Sequence, residues 1–274
     1  MRAPLALLLA VAFGTSALAE SSGRRAGPSY TPAGMAVATN NRPGPFAPNQ
    51  IVSLYGSDLA YSTEAAGGAN IRDNLLPDRL ARVQVLVMSG KAGIPVPLLY
   101  VSAEQINFVL PDSLDPGEYD IVVAREGTSG PLARIGLQDV APAFVENPAG
   151  IAVATHADGA PVTADTPARP GEVVVLYATG LGPSVLRLRD GEVPAIPPLP
   201  LSGLVIKRLA ELRVLLAGEA VDASRVLYAG LTPGLAALYQ VNVQLPDQLP
   251  ADPEIRLAIG DIFSPEAVKL PVLP

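Results

Sequence analysis

Along much of this chain apolar and polar residues alternate in short runs that Gly, Pro, Asn and Asp cut off. Period two is the signature of strands half buried in a sheet, because successive side chains on a strand point to opposite faces. The runs fall at residues 51–55, 83–88, 97–100, 106–110, 119–124 and 135–140, then at 151–155, 173–178, 213–216, 225–228, 239–245, 255–259 and 268–272. Short strands at such regular intervals, joined by turns, predict an all-β chain of sandwiches.

The pattern also repeats. IVSLYGSDLA (51–60) is echoed by VVVLYATGLG (173–182), and SGKAGIPVPLLY by AGEAVDASRVLY, with Gly90 and Gly218 each ten residues before a tyrosine. QINFVLPDSL (105–114) returns as QVNVQLPDQL (240–249). Tyr55, Tyr100, Gln105 and Asn107 of the first copy thus recur as Tyr177, Tyr228, Gln240 and Asn242 of the second. Between Tyr and Gln the second copy is longer, so AGLTPGLAAL reads as a lengthened loop. Matches in one order imply duplication. The expected organisation is a first unit at 33–140 and a second at 141–274, joined through APAFVENPAG, with 20–32 a disordered leader.

One segment competes with this reading. SGLVIKRLAELRVLLAG (202–218) spaces Leu204, Val205, Leu209, Leu212 and Leu216 as a helix would. Its counterpart LLPDRLARVQVLVMSG ends in an alternating β-branched run, which favours a strand from Arg213 after a short helical turn.

The repeat assigns roles to its markers. The four tyrosines recur at strand ends, and each ring is expected to fill the core while its hydroxyl meets a backbone partner. On the strand, Gln105 and Asn107 share one face, and Ile106, Phe108 and Leu110 the other. A ligand site would diverge between copies and a structural device would be kept, so the amides are expected to hold loop backbone beside the strand.

Composition narrows the class. The 274 residues are 49% hydrophobic and 5% aromatic, with 29 Pro, 25 Gly, no Cys and no Trp. Residues 1–19 have a basic Arg2, an apolar run from Leu5 to Phe13, and Ala17 and Ala19 around Leu18. That is a secretory signal peptide with cleavage expected after Ala19. No later stretch has the roughly 18 apolar residues of a membrane span, so an exported protein is expected, periplasmic, outer-surface or extracellular. The net charge of −7 and the lack of Lys/Arg clusters argue against nucleic acid as partner. Without cysteine there is no disulfide frame, thiolate metal site or cysteine nucleophile.

Catalytic chemistry finds few residues. The single histidine, His156, stands near Asp158 and Asp165 in ATHADGAPVTAD; imidazole and carboxylates suit a metal or a general base, but the setting reads as a polar turn. Every serine triad would need His156, and no G-x-S-x-G elbow occurs. A hydrolase would rest on paired acids, Glu104 with Asp112 or Asp158 with Asp165. Gly180-x-Gly182 lacks the full phosphate-loop pattern and reads as a turn. The Pro-rich segment 192–203 reads as a stiff loop before it reads as a polyproline ligand. No catalytic residue, metal or cofactor is expected.

The strings GIAVATHADGAPVTADTPARPGEVVVLYATGLGP (150–183) and VLYAGLTPGLAALYQVNVQLPDQLP (226–250) resemble the uncharacterised carboxy-terminal domain family of exported acidobacterial proteins. That family is similar to the immunoglobulin-like TIG (IPT) sandwiches. The resemblance covers nearly all of the chain after the signal and implies tandem immunoglobulin-like β-sandwiches with no catalytic residues to carry over. The function expected is a non-catalytic interaction or spacer module, with other envelope proteins or surface glycans as partners. The alternative is a carbohydrate-binding or adhesive cell-surface module, which would show exposed aromatics on one face, from Tyr30, Tyr61, Phe46 or Phe144. A hydrolase comes last.

Overall fold

In a computed structural model, residues 27–90, 92–195 and 201–274 are described. The expected signal peptide lies outside these residues, as do 20–26 of the expected leader and 196–200 of the Pro-rich segment.

The chain folds as tandem immunoglobulin-like β-sandwiches, each of two antiparallel sheets. The first contains β1 (Ser29–Val37), β2 (Ile51–Ser57), β3 (Glu64–Ala65), β4 (Val83–Ser89), β5 (Ala92–Pro95), β6 (Leu98–Val101), β7 (Gln105–Val109), β8 (Gly117–Arg125), β9 (Thr128–Ser129) and β10 (Ala133–Leu137). One sheet runs β1-β2-β7-β6-β3 and the other β10-β8-β4-β5, with β9 on β8. The second sandwich contains β11 (Ala143–Phe144), β12 (Ala154–His156), β13 (Val173–Thr179), β14 (Leu212–Leu216), β15 (Glu219–Ala220), β16 (Val226–Leu231), β17 (Tyr239–Gln244), β18 (Ile255–Ile259) and β19 (Ile262–Phe263). Its sheets run β11-β13-β17-β16, with β12 also on β13, and β15-β14-β18-β19.

Alternation sets the faces. On β4, Val83, Val85 and Val87 are fully buried while Gln84, Leu86 and Met88 look away from the core. On β17, Tyr239, Val241 and Val243 are inside and Gln240, Asn242 and Gln244 outside. Burying one such aliphatic side chain stabilises by about 1.5–3 kcal/mol, so a register slip of one residue would invert a whole strand's contribution. Each sandwich has its own apolar core, one around Val52, Leu54 and Phe108, the other around Leu176, Val241 and Leu257.

Two departures from the expected elements have local causes, and one contested segment is resolved as expected. β1 begins at Ser29, so 29–32 belong to the sheet rather than to a leader. Its register breaks between Tyr30 and Met35, which hides its alternation. Residues 268–272 form only isolated bridges, Lys269 to Ile151 and Glu254, Val272 to Ala168, and Pro271 has no N–H to give a ladder. The contested segment resolves into 3-10 turns at Leu201–Gly203 and Leu209–Glu211 followed by strand β14.

A third apolar cluster lies between the sandwiches, where Ile51, Leu76 and Val109 of the first meet Ala236 and Ala237 of the second. The lengthened loop of the second copy carries both alanines. The chain itself crosses at the same place: Val140 packs into the second core and Ala143 into the first.

Candidate functional site

The eight repeat markers come together as two matching outer faces. On β2, Leu54 is fully buried, so Tyr55 must point outward, opposite Gln105 of β7. On β13, Leu176 is likewise buried and Tyr177 stands opposite Gln240 of β17. The other two tyrosines arrive by a β-bulge. The β6–β7 register shifts between Leu98 and Tyr100, and the β16–β17 register between Val226 and Tyr228. The inserted residue sends Leu99 and Tyr100, and again Leu227 and Tyr228, to the outside together. Tyr100 then faces Asn107, and Tyr228 faces Asn242.

This corrects the expectation that the rings fill the core. Tyr55 is 38% exposed, and Tyr100, Tyr177 and Tyr228 are half-buried. Strand parity gives the core to the preceding leucine in one pair, and the bulge carries the tyrosine past it in the other. A hydroxyl bound to backbone is seen at Tyr228, which donates to the Leu231 carbonyl at 2.8 Å. Burial pushes the Tyr228 hydroxyl pKa up to about 12, so it remains a donor at neutral pH.

The amides bond each other rather than loop backbone. Gln105 Nε2 donates to Asn107 Oδ1 at 2.9 Å, and Gln240 Nε2 to Asn242 Oδ1 at 3.1 Å. The copies differ in one neighbour. Ser53 sits across from Asn107 and donates its hydroxyl to the same Oδ1 at 2.8 Å, whereas Val175 holds that place beside Asn242. Asn107 is buried at 2% exposure, with both lone pairs of its oxygen engaged. Asn242 is half-buried, and of these two donors it keeps only the glutamine.

The aromatics expected to form a sugar-binding face are mostly elsewhere. Phe46 and Phe144 are core residues. Tyr30 is buried too, its hydroxyl donating to Pro131 O at 2.6 Å and accepting from Val123 N at 2.7 Å. Tyr61 is exposed and lies under the Arg125 guanidinium, 4.0 Å from its ring centre.

The remaining candidates bond within the fold. His156 bonds Glu172 through Nδ1 and meets Thr166 O through Nε2 at 3.2 Å. The Glu172 hydrogen bond is the main reason its pKa lies above the ordinary 6.5. Asp158 accepts from Ala160 N in a tight turn. No group of three or more His, Cys, Asp or Glu suited to a metal ion occurs among the described residues. Glu104 and Asp112 stand beyond opposite ends of β7, too far apart to share a substrate bond. Gly180 borders the junction, since a Cβ there would fall 2.1 Å from the Ala141 carbonyl oxygen of its own sandwich and 2.8 Å from Gln50 Nε2 of the first.

The junction was not foreseen from the sequence. Asn49 Nδ2 donates to the Tyr239 hydroxyl at 2.9 Å, which donates on to Gly182 O at 2.7 Å. Gln50 is fully buried, accepting from Ala47 N and donating to Ala141 O. Asp112 takes the Arg187 guanidinium at 3.1 Å; burial nevertheless raises its pKa, against the lowering effect of the arginine. The only signal in the sequence was the extra length of the second copy's loop.

No family model matches this sequence, and no curated protein matches it. Among solved structures, it is similar to the Bacteroides ovatus SGBP-B of a mixed-linkage glucan utilization locus, in complex with a mixed-linkage heptasaccharide. That match has 10% identity and a TM-score of 0.33, over 83% of this chain and 43% of that one. SGBP-B from a complex xyloglucan utilization locus in Bacteroides uniformis gives 10% and 0.27, over 89% and 49%. The surface glycan-binding protein PbSGBP-B from Prevotella bryantii gives 9% and 0.24, over 81% and 36%. The chain thus spans less than half the length of each, and the sandwich assignment stands on its own sheets and cores.

Among the described residues no helix is long and apolar enough to cross a membrane.

Proposed function

We propose that this chain is a non-catalytic, exported carbohydrate-binding or adhesive module of the cell surface, built of two immunoglobulin-like units that meet near residue 140. The observation that supports this reading is the outer face made twice by the same bulged hairpin. It sets two tyrosines around an amide pair, with no charged side chain among the eight markers. Aromatic rings offer an apolar surface to the C–H face of a sugar, and amides offer both a donor and an acceptor to its hydroxyls. The secretory start of the sequence supports export, and the motif strings support kinship with the exported acidobacterial domain family.

Affinity electrophoresis of the chain through gels containing neutral polysaccharides tests the reading. Retardation by at least one of them is expected. Unchanged migration across a broad panel, together with a blank glycan array, would sink it.

A second reading, an interaction or spacer module for envelope proteins, is favoured by the junction. Polar and apolar contacts tie the sandwiches together there, as a spacer of defined length requires. Recovery of a protein partner by pull-down from envelope extract, unaffected by added glycan, would favour it.

A further inference from the structure

The two outer faces share a design, but they are not equally able to bind. We propose that the sugar site is on the second sandwich alone, where Tyr228 lies along its strand over Gly230 as a stacking platform beside Gln240 and Asn242, and that it takes an uncharged pyranose glycan. This rests on the carbohydrate-binding reading above and narrows it to one face and one ligand class.

The platform depends on a missing side chain. Two residues after Tyr228 comes Gly230, where a Cβ would lie 2.3 Å from the Leu204 carbonyl oxygen and 2.6 Å from the tyrosine hydroxyl. The hydroxyl is anchored beyond it on Leu231 O. The side chain therefore runs along the strand over Gly230 and stays half-buried. In the first sandwich the residue two after Tyr100 is Ser102, buried at 7% exposure with its hydroxyl accepting from the Gln105 backbone N–H at 2.9 Å. A side chain occupies the place the ring would need.

Hydrogen-bonding capacity differs in the same direction. Asn107 is buried and its oxygen already takes Ser53 and Gln105. Asn242 faces Val175, which cannot donate, so its oxygen has room for a ligand hydroxyl. The first face is also partly roofed, since Ile51 and Val109 at its end lie under Ala236 and Ala237.

Charge selects the ligand. Along the row Tyr177, Gln240, Gly230 and Val205, and along Val175, Asn242 and Tyr228, every outward residue is neutral. The chain carries a net charge of −7, so an acidic glycan would be repelled at long range with no cation on these rows to hold it.

The test is isothermal titration of the full exported chain with soluble neutral β-glucan, mannan and galactan, and with polygalacturonate as the acidic probe. One site per chain is expected on a neutral polymer and none on polygalacturonate. Tyr228→Ala and Gln240→Ala should each weaken binding about tenfold, whereas Tyr228→Phe keeps the ring and should bind within about threefold of the parent. Tyr55→Ala and Gln105→Ala should leave affinity unchanged. Melting curves of each variant identify any that fail to fold, and Tyr228→Phe with Tyr55→Ala still decide the matter if Tyr228→Ala does. Loss of binding in the first-sandwich variants, two sites per chain, or preference for polygalacturonate overturns this inference while the carbohydrate-binding reading stands. If the parent chain binds none of the glycans, both fall.

Discussion

The same residue position can be put to different use in the two copies, and the hydrogen-bond partner decides which. Asn49 and Gly171 both adopt positive φ, 56° and 78°, just before Gln50 and Glu172. Gln50 Oε1 accepts from Ala47 N and Glu172 Oε2 from Arg169 N, each at 2.9 Å across three residues. The free end of Gln50 then reaches Ala141 O in the next sandwich, while the other Glu172 oxygen turns to His156. The asparagines divide likewise. Asn107→Ala leaves the buried Ser53 hydroxyl and Gln105 amide without their acceptor, which should destabilise by about 1–3 kcal/mol. Asn242→Ala frees one half-exposed donor that water can reach, so about 1 kcal/mol or less is expected. Urea denaturation of the two variants checks the order, and an equal or reversed pair of midpoint shifts would refute it. The sequence showed that both amides recur; the inequality came from Ser53 and Val175, strand partners more than fifty residues away.

At the scale of elements, the bulge does most to shape the candidate face. A bulge is a property of a pair of strands, so neither VPLLY nor SRVLY announces it alone, and recurrence of the tyrosines at strand ends is no guide to the face they take. The loop between β12 and β13 is clamped at its base by His156, which bonds Glu172 and Thr166. Asp158 adds to the favourable field, and Glu172 is the larger influence, so the folded pKa is raised above 6.5. Protonated histidine is therefore favoured by folding. The contribution is complete below pH about 6.5 and is lost as pH rises through the raised folded value. His156→Gln should flatten that part of the stability profile. Thermal melts across pH 5 to 9, or about that span, would expose a mistake if parent and variant kept parallel curves.

At the scale of the whole molecule, the junction turns two sandwiches into one body. Ala236 and Ala237, Gln50, Asn49 and the Asp112–Arg187 pair all bridge it. At the corresponding end of the second copy Gln244 replaces Val109 in the repeat, Glu172 replaces Gln50, and Leu227, the counterpart of Leu99, is 57% exposed. Gly180 shows how close the approach is. It holds a φ of 72° with no room for a Cβ, which would meet Ala141 O of its own sandwich and Gln50 Nε2 of the other at 2.8 Å, so Gly180→Ala is strained on two counts and should cost about 1–3 kcal/mol. Because the strain falls on the junction and not on either core, calorimetry of Gly180→Ala or Ala237→Asp should resolve two transitions where the parent shows one. A single transition in both variants would mean that the sandwiches are coupled elsewhere.

The sequence by itself determined the all-β character, the duplication and the eight markers, because alternation and spacing are local properties of a chain and survive in its one-dimensional record. It also carried the strand after the competing helical pattern, since the copies could be compared. Only the tertiary structure decided that the tyrosines face outward, that the amides pair with one another, and that the longer loop is a docking element. Each of those depends on which strand stands opposite and in what register, and on contacts such as Asn49 to Tyr239 whose partners lie 190 residues apart. Pairing energies of that kind belong to two segments at once, and no single segment encodes them.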